Sequence, residues 1–152
     1  DRATCKYILK SAKESIAVVI GGAREALNSR PGVYEIILRK RRGVFKLSIE
    51  TGCPVVPTFS FGEVDLYNQV SLVWPFSLLQ SLSIRLFGFS LPLPIGRFRS
   101  LLPFRRKLRM VVGRPIYPSG RTCEELHEAY IAALESLFTE NSIDNRESLI
   151  IL

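Results

Sequence analysis

A glycine pair followed closely by an arginine and a glutamate is the first feature of the sequence that could carry chemistry. Gly21 and Gly22 come directly after five apolar residues, 16–20, and Arg24 and Glu25 follow. Glycine has no Cβ, so a backbone that contains it can approach a ligand closely. The apolar run lacks alternation, which is typical of a strand buried on both faces. We therefore expect a strand over 16–20 that opens onto a ligand-binding turn.

Cations cluster in the part of the chain that follows. The run 39–42 consists of four consecutive cations, Lys46 comes shortly after, and a second cluster spans 97–114. Lysine and arginine exceed the acidic residues by 21 to 14. This asymmetry predicts a basic face for phosphate groups of a coenzyme, of lipid headgroups or of nucleic acid. The alternative is that these cations are solvated surface charges.

A third group of residues closes this region at the end of another apolar run. Pro54 and Pro57 bracket two valines, and Gly62 and Glu63 follow Phe61. We interpret the region from the glycine pair to Glu63 as one wall of an active site for an anionic, lipidic substrate. The other wall is expected to lie outside these residues.

The elements that must position these groups alternate between strands and helices. Apolar runs predict strands at 16–20, 33–38, 54–61 and 108–112, and helices are predicted at 4–15, 23–28 and 44–51. Thr122 and Glu125 have the spacing of a capping box, which predicts that the longest helix starts there. The sequence thus predicts one α/β domain with a partial, mostly parallel sheet flanked by helices. In such sheets, ligands bind at the carboxyl ends of the strands.

An apolar segment at about 66–96 interrupts this pattern. Residues 66–84 contain no charged side chain, but asparagine, glutamine, serines and a central proline dilute their apolar character. We favour a segment that lies on or dips into a membrane, with Tyr67 and Trp74 at the interface. A buried linker helix and a membrane-spanning helix are the alternatives that remain open.

Several other chemistries are disfavoured by the residues present. The three cysteines are far apart and form no C-x-x-C, which argues against a metal site or a disulfide framework and for a reducing compartment. Serine-hydrolase and Walker motifs do not occur. His127 is the single histidine, and its place beside an apolar helical stripe indicates a structural role. Nucleic-acid binding is disfavoured, because no known motif accompanies the basic residues.

Three blocks in this order resemble the type-2 diacylglycerol acyltransferase family, which includes monoacylglycerol and wax-alcohol acyltransferases and belongs to the glycerolipid acyltransferase superfamily. The resemblance extends from about residue 16 to about residue 138. The blocks read GGAREAL, then RKRRGVFKLSIETGCPVVPTFSFGEVDLYNQV, then LLPFRRKLRMVVGRPI.

The resemblance implies transfer of an acyl group from acyl-coenzyme A to a hydroxyl of an acylglycerol or fatty alcohol, in neutral-lipid synthesis. It implies a location at the endoplasmic reticulum membrane or the lipid droplet, and no cofactor besides acyl-CoA as substrate. The family's general base is a histidine in a His-Pro-His-Gly-type motif upstream of these blocks, which is missing here and is expected to precede Asp1. Residues 1–152 are therefore expected to be the C-terminal part of one acyltransferase domain, inactive in isolation.

The resemblance also suggests supporting roles for the residues singled out above. The glycine pair would approach an oxygen-bearing substrate. Glu25 would bind the acceptor hydroxyl or orient the base, unless it is only a helix-start carboxylate. Pro57 would shape the floor of the acyl site, and Gly62 and Glu63 would border the substrate at a strand end. The cations proposed to hold coenzyme A phosphates, which could equally be surface charges, are Arg24, Arg39, Arg42 and Lys46.

The sequence leaves open the acceptor, the acyl-chain preference and the oligomeric state, so an oligomer is possible. A second hypothesis, of a different class, is a non-catalytic basic module that binds membranes peripherally. It predicts salt-sensitive binding to anionic liposomes and no dependence on Glu25 or the glycine pair.

Overall fold

The structure, a computed structural model, describes residues 1–21, 31–69, 94–143 and 147–152. Helices and strands are mixed along the chain, as the sequence predicts. The elements in order are α1 (Arg2–Tyr7), a π-helical turn (Ile8–Ala12), β1 (Val33–Ile36), α2 (Gly43–Thr51), β2 (Thr58–Phe61), a 3₁₀ turn (Glu63–Asp65), β3 (Asn68–Gln69), β4 (Pro94–Ile95), a turn (Arg97–Arg99), β5 (Arg109–Val112), α3 (Cys123–Asn141) and β6 (Ser148–Ile151).

The predicted strand at 16–20 is wrong. Residues 14–19 have no regular secondary structure, and no described strand pairs with this run. Val19 is 83% exposed, whereas Ile20 packs against the core. An apolar run alone does not show how its side chains are arranged. Here residues 18–20 line one wall of a cleft and are not buried between two layers of helices. The predicted helix at 23–28 lies outside the described residues.

The strands form three separate pairs. β1 and β6 pair in parallel, with Val33 opposite Ser148 and Ile36 opposite Ile151. β2 pairs with β5, and β3 with β4, and both of these pairs are antiparallel. The described strands thus include a small parallel sheet, but the predicted mostly parallel sheet is not found among them.

The helix α3 provides the main cover for the core. Its capping box forms as predicted: the Thr122 hydroxyl accepts from the Glu125 N–H at 3.2 Å, and the Glu125 carboxylate accepts from the Thr122 N–H at 2.7 Å. Phe138, near the end of the helix, packs edge-on against Phe59 at 5.3 Å between ring centroids. The same helix also packs on α2, where Phe45 is fully buried.

The apolar segment predicted at about 66–96 lies mostly outside the described residues, which omit 70–93. Its two ends are described, and they lie side by side because β3 pairs with β4. The Phe104 N–H donates to the Leu66 carbonyl at 2.8 Å and strengthens this junction. Within the ranges that the structure describes, no helix has the length and apolar character needed to cross a membrane. Whether the segment lies on a membrane stays a prediction.

Candidate active-site cleft

A cleft of about 430 Å³ opens between the region before the glycine pair, β1, β2 and α3. This volume lies in the range typical of small-molecule sites. Most of the lining side chains are apolar, and a smaller number of polar groups is placed among them. The polar and glycine positions in the lining are Gly21, Tyr34, Glu35, Thr58, Ser60, Glu63 and Tyr130. Such a surface suits a ligand with a long apolar part and a polar end.

The strand β1 supplies one side of the cleft. Tyr34 is 5% exposed and sits in the aromatic core, with its ring edge-on to Phe59 at 5.1 Å. Its neighbours Val33 and Glu35 are partly exposed and also line the cleft. All four residues of β1 line the cleft, and Tyr34 also packs in the aromatic core, so one short strand serves both the core and the site.

The hydroxyl of Tyr34 connects three parts of the fold. It accepts a hydrogen bond from the Gly62 N–H at 2.8 Å and lies 3.5 Å from the Glu147 carboxylate, to which it donates. Burial raises the pKa of the Tyr34 phenol above 10.0, the Gly62 N–H opposes this rise, and the Glu147 carboxylate reinforces it. The phenol is therefore a neutral donor and acceptor that fixes the turn after β2.

Gly62 has a structural reason to be glycine. Its φ is +84°, and a Cβ at this position would lie 2.4 Å from the Lys107 carbonyl oxygen. No side chain fits there without a backbone shift, because real Cβ atoms do not approach so closely. The close approach that the glycine permits is to the chain entering β5. The neighbouring Glu63 is exposed and lines the cleft.

Three of the predicted phosphate-binding cations do not line the cleft. Arg39 is exposed, and its Nε donates to the Ile151 carbonyl at 3.1 Å. Arg42 forms an exposed ion pair with Glu124 at the start of α3. Lys46 is exposed on α2. The structure thus places these three cations near α2 and the chain terminus, and coenzyme binding by them stays a prediction.

Pro57 is fully buried but is not part of the cleft lining. Its carbonyl accepts from the Gly113 N–H at 2.8 Å, so it anchors the start of β2 beside the end of β5. The role of Pro57 in the acyl site stays a prediction. Gly22, Arg24 and Glu25 lie outside the described residues, and Gly21 is the member of their block that is seen lining the cleft.

The buried histidine has a structural setting. His127 is 4% exposed, its Nε2 lies 3.1 Å from the Leu38 carbonyl oxygen, and its ring packs edge-on against Phe45 at 4.8 Å. It does not line the cleft, although Tyr130 and Leu134 of the same helix do. The interpretation of His127 as a structural residue agrees with these contacts.

The first residue of the chain serves as a helix cap. The Asp1 carboxylate accepts a hydrogen bond from the Ala3 N–H at 3.3 Å, at the start of α1. Asp1 is exposed and does not line the cleft. A side-chain oxygen in this place satisfies one of the unpaired N–H groups of the first helical turn. The catalytic histidine expected upstream of Asp1 stays a prediction.

Sequence reasoning did not single out Tyr34, Glu35, Ser60 or Tyr130. A tyrosine in a mainly apolar run looks like a core residue, and Tyr34 is one. Its hydrogen bond to Gly62 spans 28 residues and depends on the turn conformation. The alternation of Val33-Tyr34-Glu35 was the one available signal, since it placed a carboxylate on a half-buried strand.

The sequence is similar to that of known lipid acyltransferases. The family model described as "Diacylglycerol acyltransferase" matches residues 1–150. The chain is 41% identical to diacylglycerol O-acyltransferase 2 of Dictyostelium discoideum, covering 97% of this chain and 50% of that protein. It is 35% identical to 2-acylglycerol O-acyltransferase 1 of Bos taurus, covering 98% and 50%. It is 42% identical to diacylglycerol O-acyltransferase 1 of Saccharomyces cerevisiae, covering 86% and 35%. The chain spans half or less of each of these relatives, and no solved structure matches it.

Proposed function

The chain belongs to the diacylglycerol acyltransferase family, and on this basis we propose that it forms part of an acyl-CoA-dependent O-acyltransferase that esterifies an acylglycerol. The proposed products are di- or triacylglycerol. Monoacylglycerol, diacylglycerol and fatty alcohols remain alternative acceptors. Acyl-CoA enters as a substrate, and the proposal includes no other cofactor.

The mainly apolar cleft is the observation that best supports this proposal. Val33, Ile36 and Leu134 give it an apolar wall, while Ser60 and Glu63 are polar groups in the same lining. An acyl chain gains free energy when such a wall removes it from water. The polar groups would face the ester or hydroxyl end of the ligand, where hydrogen bonds set orientation.

The predicted cations are proposed to hold the coenzyme A phosphates outside the cleft. Arg39 and Arg42 have protein partners, but both side chains are exposed, and exposed ion pairs contribute little stability. A phosphate could therefore replace Glu124 as the partner of Arg42 at small cost. Lys46 and Arg24 complete the proposed set. Charge-assisted bonds to phosphate are stronger than neutral hydrogen bonds.

The general base is proposed to be a histidine upstream of Asp1, outside these 152 residues. His127, the single histidine of the chain, is enclosed by Leu38 and Phe45 and does not line the cleft. A general base must come within hydrogen-bond reach of the proton that it removes. Glu25 is proposed to bind the acceptor hydroxyl or to orient this base, and the glycine pair to lie against the substrate.

The proposed setting is the surface of the endoplasmic reticulum membrane, with the lipid droplet as a further location. The apolar segment at about 66–96 is proposed as the membrane-associated part, and oligomerisation stays open. The second candidate function is a basic module that binds membranes peripherally without chemistry. The net charge of +7 favours binding of such a module to anionic lipid surfaces.

The experiment that separates these functions is an acyl-transfer assay on the complete gene product that contains this chain. Membranes from a host without neutral-lipid acyltransferases would receive labelled acyl-CoA with monoacylglycerol, diacylglycerol or a fatty alcohol. We expect labelled ester from at least one acylglycerol. If the folded protein forms ester with none of the three acceptors, that result contradicts the proposal and favours the non-catalytic module.

A further inference from the structure

Three large apolar side chains project into solvent from one short loop. We call residues 96–107 the basic loop. Within it, Phe98 is 83% exposed, Leu101 is 72% exposed and Leu102 is 60% exposed. Single exposed apolar residues are common on protein surfaces, but several within one short loop typically mark an interaction site.

The backbone of the basic loop holds these side chains outward. The Gly96 N–H donates to the Ser100 carbonyl at 2.8 Å, and the Arg97 N–H donates to the Leu102 carbonyl at 2.7 Å. The Ser100 hydroxyl closes the loop further, donating to the Arg97 carbonyl at 2.7 Å and accepting from the Leu102 N–H at 3.2 Å. A Cβ on Gly96 would lie 1.7 Å from the Leu102 carbonyl oxygen, so this tight closure requires glycine.

Phe98 has an unfavourable backbone conformation that supports the same conclusion. Its φ is +56°, in the left-handed region that bulky side chains rarely adopt. Such strain persists only where surrounding bonds over-determine it, as the closed loop does here. The guanidinium of Arg97 lies 5.1 Å from the centre of the Phe98 ring. The fold therefore keeps an aromatic ring in solvent beside a cation rather than burying it.

Two hydrogen bonds, at Leu101 and at Phe104, fix the basic loop to residues 66 and 67. The Tyr67 hydroxyl donates to the Leu101 carbonyl at 3.3 Å, and Phe104 bonds to Leu66 as described above. Further along, the Lys107 carbonyl lies against Gly62 beside the cleft. The exposed side chains are thus presented by a supported loop whose far end touches the turn that borders the proposed site.

The charge around these side chains has one sign. No aspartate or glutamate occurs in the sequence from Leu66 to Cys123. Five cations surround the apolar group, and none of them forms an ion pair with another residue that the structure describes. These cations are Arg97, Arg99, Arg105, Arg106 and Lys107.

We propose that the basic loop is a docking surface for an anionic lipid membrane. The cations would bind headgroup phosphates, and Phe98, Leu101 and Leu102 would enter the boundary between headgroups and acyl chains. A membrane offers both an anionic layer for the cations and an apolar layer for Phe98 and the leucines. A nucleic acid offers phosphates but no comparable apolar layer. The inference rests on the proposed function only in that both place the protein at a membrane.

The test uses the complete gene product that contains this chain and sedimentation with vesicles. One set contains phosphatidylcholine alone, and the other also contains roughly 20 mol% phosphatidylserine. We expect stronger binding to the anionic vesicles and a decrease as salt increases. The triple variant R105Q/R106Q/K107Q should weaken binding to anionic vesicles at least tenfold and flatten the salt dependence. The variant L101E/L102E should weaken binding by a similar factor.

The matched controls change the same properties elsewhere on the surface. K10Q/R114Q/R121Q removes three exposed cations, and Y117E/I143E adds two carboxylates at positions that are 60% and 81% exposed. Each control should change vesicle binding less than twofold. Circular dichroism of all variants checks that the chain remains folded.

Three outcomes would overturn the proposal. The first is that the native chain binds both vesicle types equally. The second is that the triple variant binds anionic vesicles as tightly as its control does. The third is that the triple variant loses binding to RNA but keeps binding to vesicles. Acyl transfer by the complete gene product in detergent micelles provides a separate readout. The docking variants should retain acyl transfer in micelles. If the native protein shows no acyl transfer, that result contradicts the proposed function and leaves the docking result unaffected.

Discussion

The hydroxyl of Tyr34 accepts a hydrogen bond from the backbone N–H of Gly62, at 2.8 Å. This bond joins β1 to the turn at which the chain leaves β2, and both elements border the cleft. The turn is in addition packed against Lys107. The turn beside the cleft is therefore held by the Tyr34 hydroxyl on one side and by the Lys107 carbonyl on the other.

We expect Tyr34→Phe to lower the free energy of unfolding by about 1–2 kcal/mol, because it leaves the Gly62 N–H without its acceptor in a partly buried place. Chemical denaturation measures this loss. Tyr117→Phe removes a hydroxyl from a tyrosine that is 60% exposed and should change stability by less than about 0.5 kcal/mol. Equal losses in the two variants would contradict the role given to the hydrogen bond.

The same tyrosine predicts how stability depends on alkaline pH. Burial raises the pKa of Tyr34, and also that of Tyr130, above 10.0. The unfolded chain therefore loses these protons first, so the contribution is fully present below about pH 10 and is lost as pH rises through the folded pKa. Denaturation at a series of alkaline pH values should show this decline, and the decline should be shallower for Tyr34→Phe. A steeper decline in that variant than in the native chain would argue against the assignment.

Gly62→Ala should destabilise the domain strongly, by roughly 3 kcal/mol, because it combines a left-handed backbone with a collision against the Lys107 carbonyl. Gly120 is the matched control, since its φ is +73° but nothing lies within 4 Å of the place that an added Cβ would occupy. Gly120→Ala should cost only about 1 kcal/mol for the backbone conformation. Thermal unfolding of both variants separates collision from conformation, and similar costs would exclude the collision as the cause.

Ser60→Phe should reduce use of the longest acyl-CoA donors more than tenfold while sparing short ones, because the ring would occupy cleft volume. Acyl transfer by the complete gene product, measured with donors of increasing length, gives the result. Ser136→Phe makes the same change at an exposed serine of α3 and should leave the length profile intact. An unchanged profile for Ser60→Phe would show that the acyl chain binds elsewhere.

Glu25→Gln tests a residue outside the described part of the chain. If Glu25 binds the acceptor or orients the base, loss of its charge should lower kcat roughly 100-fold, in the range expected for a group that assists proton transfer. Glu128→Gln is the control, because Glu128 is exposed on α3. Acyl transfer that is unchanged by Glu25→Gln would favour the helix-start interpretation of this carboxylate.

Local signals predicted the helices and several strands of this fold. The capping box at Thr122 located the start of α3, and the helix predicted at 44–51 matches α2. The apolar runs at 33–38 and 108–112 contain β1 and β5. In each case the deciding information lies within a few residues along the chain, where capping and periodicity act.

Features that depend on distant partners were not predicted. The strand β6 lies in a region whose structure the sequence left uncertain, and it forms because β1, far earlier in the chain, offers a free edge. The run at 16–20 has the composition of a strand but no described partner. In the cleft, Gly21 and Glu63 were singled out from local pattern, whereas Ser60 and Tyr130 become neighbours only after folding.

The pairing of β6 with β1 has a consequence for truncations of the chain after Glu147. The Leu152 carbonyl accepts hydrogen bonds from both the Leu38 and the Arg39 N–H, at 2.9 and 2.7 Å. Loss of β6 would uncover a row of unpaired backbone groups along β1, and such bare rims recruit other polypeptides. A nonsense mutation there should thus deplete the correctly assembled protein through aggregation, although every residue that lines the cleft would still be translated.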